Sequence, residues 1–360
     1  NKDKVIGTQS YNAQTTGIDI VFEDGTASTG TISCTYSYAS PSGDAGSPNE
    51  TCTGSNGDYY THPAFTLGNQ ELTGFWMGKF ELSSGVSSSN GGGNTTSLTP
   101  EILPNAISWR KNTLSNYWKV IYDMQTSNNI YGLPTSRTNV DSHMITNMEW
   151  GAAAYLAHSK YGRCTNGSCA EVQNNRYGEE EYGTTMTGCG PIENGSTSFG
   201  TTCNTYNTTL GQTASTTGNI YGVYDMSGGA WEYVMGNMSS ASGTSYTYYA
   251  DSAGTNFTYS ADTAKYLTPY AHGTDIYNQT AYNRGKLGDA TAEVVAYKNS
   301  LRGGWNNNYT SFPTSEPWFI RGGNYGSSLS PTSVYGIFSF SSSEGFDGSS
   351  STRAALSIAN

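Results

Sequence analysis

The stretch WFIRGGNYGSSLSPTSVYGIFSFSSSEGFDGSSSTRAALS, residues 318–357, contains two kinds of position. One kind is polar, made of Ser, Thr, Asn, Tyr and Asp, and we call these positions the infill. The other kind is a sparse set, which we call the frame: Trp318, Arg321, Gly322, Gly323, Gly336, Ile337, Phe338, Phe340, Gly345, Arg353 and Leu356. We expect the frame to be buried and the infill to lie at the surface, because apolar side chains and paired charges are the groups that an interior accepts.

Local patterns within this stretch predict a strand and a bend. Phe338 and Phe340 alternate with small polar residues, which is typical of a half-buried strand. The glycine pair at 322–323 permits a tight bend directly after Arg321. Arg321 and Arg353 require partners if the backbone around them is packed.

The motifs RGGNYG, GIFSF and STRAAL, in this order, resemble the last part of the C-type-lectin fold of the formylglycine-generating-enzyme (sulfatase-modifying factor) type. More narrowly, the stretch resembles the variable region of the variable proteins of diversity-generating retroelements. In those proteins, template adenines are copied with errors, so codons of the form AAY are replaced by many other codons. None of the resulting codons encodes Lys, Gln, Met or Trp. Residues 324–352 contain none of these four. An ordinary pair of Ser/Gly-rich loops has a similar composition and stays open as an alternative.

Two earlier motifs resemble the same family. YGVYDMSGGAWEYVMG, residues 221–236, is close to the signature GLYDMSGNVWEW, with Gly229 in place of the usual Asn, Ala230 for Val and Tyr233 for Trp. GFWMGKFELS, residues 74–83, resembles an early strand of the family. The resemblance implies an α+β, C-type-lectin-like fold with few short helices and much irregular structure. We expect a small β-rich N-terminal extension over 1–58 and a ligand-binding domain over 59–360, with the variable region at 318–357.

The resemblance also implies which residues bind ligand. The positions expected to vary and to lie exposed on one face are Asn324, Tyr325, Ser327, Ser328, Leu329, Ser330, Ser339, Ser341, Ser342, Phe346, Asp347 and Ser350. Tyr and Phe would supply stiff contact area there, and Ser and Asn would supply adaptable hydrogen bonds, as in antibody paratopes.

Apolar spacing predicts two helices, and alternation predicts two N-terminal strands. One helix starts near Thr113, and a second starts near Asp141 with Asp141 or Ser142 as its cap. His143 and His158 would lie on the second helix, where a lone histidine is a packing or surface residue more often than a ligand. The strands are predicted at 18–22 and 31–38.

The six cysteines form three local couples that bracket turn residues. The predicted disulfides are Cys34 with Cys52, Cys164 with Cys169, and Cys189 with Cys203. The clustered CxxC or CxxH spacing of a zinc site is absent, so we predict no metal ligand among them. Disulfides indicate an oxidising, extracytoplasmic compartment, and we predict an extracellular, cell-surface or virion-associated protein.

Charge and motif content restrict the chemistry. A formal net charge of -11 gives no electrostatic footprint for nucleic acid. Formylglycine-generating enzymes carry out their oxidation with two cysteines after the C-terminal RGG, and residues 324–340 contain no cysteine, so we predict no enzyme activity.

We expect no cofactor. Structural calcium stays open because of the run Glu179, Glu180 and Glu181, but a solvated acidic turn is favoured. Glu232 is predicted to pair with a buried Arg321 or Arg302.

These observations favour a secreted or surface-displayed ligand-binding protein, adhesin or receptor-like, with C-terminal loops made hypervariable by adenine mutagenesis. The expected partner is a protein or glycan on another cell or host. A covalent or assembled link to a pilus, cell surface or virion is also expected. Two alternatives stay open. One is a structural module of a pilus or phage tail fibre. The other is a catalytic member of the fold whose site the sequence does not reveal, which a perturbed carboxylate pair in a deep cleft would support.

Overall fold

The molecule is an α+β protein with few helices and small sheets. The computed structural model describes residues 9–10, 32–38, 48–54, 62–157, 159, 161–165, 168–170, 172–178, 184–193, 200–238, 256–270, 288–290, 317–325, 340–343 and 348–359. No helix among these residues is both long enough and apolar enough to cross a bilayer.

The elements are short. The strands are β1 (Gln9–Ser10), β2 (Ile32–Tyr38), β3 (Pro48–Gly54), β4 (Thr66–Leu67), β5 (Gln70–Met77), β6 (Val140–Met144), β7 (Cys164–Thr165), β8 (Ser168–Cys169), β9 (Cys189–Gly190), β10 (Asn204–Thr205), β11 (Trp231–Met238), β12 (Thr268–Tyr270), β13 (Trp318–Arg321), β14 (Phe340–Ser343), β15 (Ser350–Thr352) and β16 (Ala354–Ala359). The α-helices are α1 (Leu114–Tyr122), α2 (Asn147–Ala157) and α3 (Thr209–Gln212), and single 3-10 turns occur at Pro63–Phe65, Asp123–Gln125 and Ala264–Tyr266.

The N-terminal strands form a separate antiparallel sheet in the order β1-β3-β2. Strand β2, Ile32–Tyr38, confirms the strand predicted at 31–38, whereas the one predicted at 18–22 lies outside the described residues. The boundary predicted near residue 58 stays a prediction.

What we call the first sheet has the order β4-β5-β16-β6, so the C-terminal strand lies between two strands from earlier in the chain. Leu356 of β16 faces Trp76 of β5 on one side and Ser142 of β6 on the other. Strand β5 ends at Met77, earlier than the predicted strand over 74–83. The chain diverges there because Leu82 N donates to the carbonyl of Thr352, in a different strand, at 2.9 Å.

What we call the second sheet has the order β12-β11-β13-β14, and β15 also pairs with β11. Strand β11 comes from the motif at 221–236, while β13, β14 and β15 come from the stretch at 318–357. Two of the stretches that carry the family resemblance are therefore hydrogen-bonded to each other. In the register, Glu232 lies opposite Arg321 and Tyr233 opposite Ile320.

Helix α1 begins where apolar spacing predicts, and α2 does not. Thr113 caps α1 by accepting the N–H of Asn116 at 3.2 Å. Residues 140–144, expected to open the second helix, form β6 instead, and α2 begins at Asn147. Its cap is Thr146 with Glu149, since each side chain bonds the other's backbone N–H, at 3.1 and 2.9 Å. The spacing Thr-x-x-Glu is the sequence signal of such a capping box.

The core lies on both sides of β11. One cluster joins α2 to the second sheet through Trp150, Val234 and Phe319. Another joins α1 to the same sheet through Tyr117 and Trp318, among others. Because β11 contributes side chains to both clusters, the second sheet is packed on both faces.

The disulfide prediction is confirmed at Cys189–Cys203, which links β9 to the segment entering β10. Cys164 is also disulfide-bonded and lies opposite Cys169 in the β7–β8 hairpin. Cys34 lies opposite Cys52 in the N-terminal sheet. Disulfides persist in oxidising compartments, so this bonding is typical of a protein that folds outside the cytoplasm.

Candidate ligand-binding surface

The segment that carries the candidate ligand-binding positions, residues 324–350, which we call the candidate segment, follows a glycine bend at the end of β13. Gly322 and Gly323 have φ values of +87° and +68°, a left-handed conformation that favours glycine. The carbonyl of Gly322 accepts the N–H of Gly228 at 3.0 Å, which ties the bend to the motif at 221–236. The predicted tight bend is confirmed, and it delivers Asn324, which is half-buried, to the start of the candidate segment.

Strand β14 brings two candidate positions beside β13. Ser341 lies opposite Ile320, and Ser342 lies opposite Phe319, which is buried. In the described part of the second sheet, β14 is the end of the strand order. Polar residues at a sheet edge offer hydrogen bonds without disturbing the core, so β14 is a suitable border for a binding surface.

Two candidate positions are buried, and the expectation that they lie exposed is wrong. The first is Tyr325, 2% exposed, whose N–H donates to the carbonyl of Gly229 at 2.7 Å. Its ring packs so closely on Gly178 that a Cβ there would come within 2.2 Å, and the Arg110 guanidinium lies 5.9 Å from the ring centre. The tyrosine is therefore a packed residue of the interior and not a surface residue.

Ser350 is the second buried candidate. It has no exposed surface, pairs with Trp231 in the sheet, and its carbonyl accepts the hydroxyl of Tyr117 at 3.1 Å. A strand that pairs with the middle of a packed sheet has no free face, which is why a serine there is not at the surface. The remaining candidate positions lie outside the described residues: Ser327, Ser328, Leu329, Ser330, Ser339, Phe346 and Asp347.

The frame is held by a buried ion pair that sequence reasoning assigned to the wrong arginine. The carboxylate of Glu232 pairs with Arg353, and both side chains are fully buried. Arg353 also donates to the carbonyls of Gly78, at 2.6 Å, and Tyr224, at 2.8 Å. Glu232 therefore joins β11 to the turn between β15 and β16, while Arg302 lies outside the described residues.

Arg321, the other expected partner of Glu232, donates instead to neutral oxygens. Its guanidinium donates to the side-chain oxygen of Asn147 at 3.0 Å and to the carbonyls of Asp289 and Ala290 at 3.0 and 3.1 Å. It also lies 4.3 Å from the centre of the Trp150 ring, an arrangement that stabilises a cation. The two arginines of the frame thus anchor different parts of the chain.

A second set of buried carboxylates surrounds the motif at 221–236, and sequence reasoning missed it. Glu81 accepts from Ser108 Oγ at 2.6 Å and from the N–H of Ala230 at 2.8 Å. Asp225 accepts from Asn175 Nδ2 and from the N–H of Gly188, both at 2.9 Å. Burial raises the pKa of Asp225 to about 6 and raises the pKa of Glu81 well above its ordinary value.

These carboxylates support the fold and do not form an open catalytic pair. Glu81, Asp225 and Glu232 have no exposed surface, and their oxygens bond to donors of the protein itself. Paired carboxylates that catalyse hydrolysis need room for substrate between them. Among the described residues, no group of three His, Cys, Asp or Glu could hold a metal ion. The run Glu179, Glu180 and Glu181 lies outside them.

A groove on the first sheet, rather than the second, is lined mainly by apolar residues. Trp76 is 68% exposed and stands between two hollows of about 280 and 300 Å³. Gly74, two residues away, has nothing within 4 Å of where a Cβ would be. This groove offers a control position for tests of the candidate surface.

Comparison with protein-family models finds no match, and comparison with curated proteins finds none either. The fold class and the disulfide therefore rest on the chain's own structure: an α+β, disulfide-bonded protein in which the buried Glu232–Arg353 ion pair joins β11 to the end of the stretch at 318–357.

Proposed function

We propose that this chain is a secreted or surface-displayed ligand-binding protein, adhesin or receptor-like, with a C-type-lectin-like fold of the formylglycine-generating-enzyme type. The observation that carries the proposal is the division of the stretch at 318–357 into two parts. Trp318, Arg321 and Arg353 of the frame are buried and anchored to other elements. Ser341 and Ser342 of the infill lie on the end strand of the described sheet. A rigid scaffold that carries variable loops is suited to recognition.

The infill is the part of the chain that retroelement-driven adenine mutagenesis would diversify, and the frame is the part that must stay constant. The burial of Tyr325 and Ser350 refines this proposal. Substitutions at those two positions must preserve side-chain volume, because a packed interior tolerates neither a cavity nor an extra ring.

Counting substitutions in related genomes tests the proposal. We expect changes between codons 318 and 357 to fall at infill codons, to trace to template adenines, and to spare Arg321, Gly336, Phe338 and Arg353. The changes should be frequent at Ser341 and Ser342 and rare at Ser350. Substitutions spread evenly over frame and infill would contradict diversification and favour a structural module.

Placing the same large side chain at three serines tests the proposed surface in the laboratory. Neighbouring residues of a strand face opposite sides of the sheet, so one of Ser341→Tyr and Ser342→Tyr is expected to change the free energy of unfolding by about 0.5 kcal/mol or less, as surface substitutions do, and the other to cost more. Ser350→Tyr is expected to destabilise by about 1–3 kcal/mol, since the ring enters a packed site. The measurement is urea unfolding followed by tryptophan fluorescence.

The same variants test binding when a ligand is captured from a library of proteins and glycans. At least one of Ser341→Tyr and Ser342→Tyr should alter its Kd, whereas Trp76→Ser, on the first sheet, should not. A ligand that responds to Trp76→Ser and ignores both serine variants would place the binding surface elsewhere.

A further inference from the structure

The buried imidazole of His143 lies between two hydrogen-bond acceptors. Nδ1 is 3.0 Å from the backbone carbonyl of Asp141, and Nε2 is 3.1 Å from each carboxylate oxygen of Glu149. A carbonyl oxygen has no hydrogen to donate, so Nδ1 must carry the hydrogen of that bond. A hydrogen is then also needed between Nε2 and the carboxylate, since otherwise a lone pair of the ring would face an anion.

The surroundings of Glu149 hold its carboxylate as an acceptor. One oxygen accepts the N–H of Thr146 at 2.9 Å and the Thr146 hydroxyl at 3.0 Å. The other lies 3.5 Å from the hydroxyl of Ser357 in β16. A backbone N–H can only donate, so the oxygen that accepts from Thr146 carries no proton. An imidazole is ordinarily a stronger base than a carboxylate, so the proton between the two side chains resides on His143.

The other charged and titratable groups around His143 are already paired. The carboxylate of Asp141, on the same strand, binds Arg137 at 2.7 Å and Lys265 at 2.6 Å, and it accepts the hydroxyl of Tyr266 at 2.8 Å. The Tyr266 ring lies 5.3 Å from the imidazole. Among the described residues, Glu149 is the carboxylate whose oxygens bond the ring.

A second histidine provides a comparison inside the same molecule. Nδ1 of His62 accepts the N–H of Ala64 at 3.1 Å, which requires a nitrogen without hydrogen, and burial lowers the pKa of His62 to about 4. Burial opposes protonation of His143 and is the largest single influence on it, but Glu149 and Asp141 together outweigh burial, and the pKa of His143 is raised. The two histidines differ because carboxylates act on His143, whereas at His62 a backbone hydrogen bond with Gly288 offsets less than burial takes away.

We propose that His143 and Glu149 form a proton-dependent clamp, which holds the N-terminus of α2 against β6 and loosens when its proton is lost at alkaline pH. The clamp reaches the second sheet, because Asn147, beside the Thr146 cap, accepts a hydrogen bond from Arg321 at 3.0 Å. It operates whatever ligand the chain binds.

The direction of the pH effect follows from the raised pKa of His143. The stabilisation is complete below the unfolded-state pKa of about 6.5 and is lost as pH rises through the folded-state pKa. Within that window the unfolding equilibrium constant rises about tenfold per pH unit for the one proton involved. The pKa values of Asp225 and Glu81 are also raised, so these groups too lower the free energy of unfolding as pH rises. A variant must therefore isolate the contribution of the clamp.

Glu149→Gln isolates it. Glutamine is accepted at this position of a capping box, and its amide can donate to a neutral His143 while its oxygen accepts from Thr146. The variant therefore needs no proton at the pair. We expect the variant to be less stable than the wild type near pH 6. Above about pH 6.5 its unfolding equilibrium constant should rise less steeply than that of the wild type, by a factor of about ten per pH unit. The measurement is urea unfolding between about pH 6 and about pH 9.

Asp123→Asn is the matched control, because it makes the same carboxylate-to-amide change in the exposed Lys119–Asp123 pair. Its pH profile should parallel that of the wild type. Nitrogen-15 NMR of the wild-type imidazoles tests the clamp without any variant: His143 should remain doubly protonated above the ordinary histidine pKa of about 6.5 while His62 is neutral. Parallel profiles for Glu149→Gln and the wild type, or a His143 that is neutral at pH 7, would overturn the proposal.

Discussion

Replacing Arg353 by methionine is expected to lower the free energy of unfolding by about 3–5 kcal/mol, because it leaves the carboxylate of Glu232 in the interior without its cation. Glu232 would keep the bond from Trp150 Nε1 at 2.6 Å, but a neutral donor does not replace a guanidinium. The carbonyls of Gly78 and Tyr224 would also lose their donor. Since domains are stable by about 5–15 kcal/mol, this loss approaches complete unfolding.

Two further variants define the origin of the effect, measured by urea unfolding. Lys119→Met removes a cation from an ion pair whose side chains are 40% and 39% exposed, and it should cost about 0.5 kcal/mol or less. Adding Glu232→Gln to Arg353→Met should recover part of the loss, because the orphaned charge is then absent. A wild-type unfolding midpoint for Arg353→Met would show that the pair does not support the fold.

Replacing Gly151 by alanine should destabilise the protein by about 1–3 kcal/mol, although the same change in an ordinary helix stabilises it by about 1 kcal/mol. A Cβ at this position of α2 would lie 2.3 Å from the carbonyl oxygen of Gly288 and 2.5 Å from the backbone of Asp289. That backbone cannot yield freely, because the carbonyls of Asp289 and Ala290 accept hydrogen bonds from Arg321. The steric cost therefore exceeds the gain in helix propensity.

Gly74→Ala is the control for Gly151→Ala, with the melting temperature as the measurement for both. Gly74 lies in β5, where nothing is within 4 Å of an added Cβ, so alanine should leave stability unchanged or raise it by about 0.5 kcal/mol. If Gly151→Ala melted above the wild type, the close approach of α2 to residues 288–290 would be refuted.

Part of the fold could be predicted from the sequence. Residues close in sequence determine helix α1 with its Thr113 cap, strand β2 and the bend at 322–323. Local sequence patterns were therefore sufficient to predict them. The disulfide between Cys189 and Cys203, 14 residues apart, was predictable for the same reason.

The start of α2 was not predictable from apolar spacing. Helical periodicity runs through 141–156, but His143 pairs with Ala355 and Ser142 with Leu356, residues more than two hundred positions away. Those ladder bonds make residues 140–144 a strand, because tertiary pairing overrides a weak local preference. The Thr146–Glu149 capping box was present in the sequence and gives the true start.

The candidate surface divides in the same way. The sequence by itself determined that the stretch at 318–357 has an apolar and charged frame with polar infill, and that Glu232 would need a buried arginine. Only the tertiary structure decided that this arginine is Arg353 and that Tyr325 and Ser350 lie inside. The physical reason is that burial and ion pairing depend on which distant strands meet. A serine in β15 is covered because β15 pairs with β11, and no residue next to it in the chain carries that information.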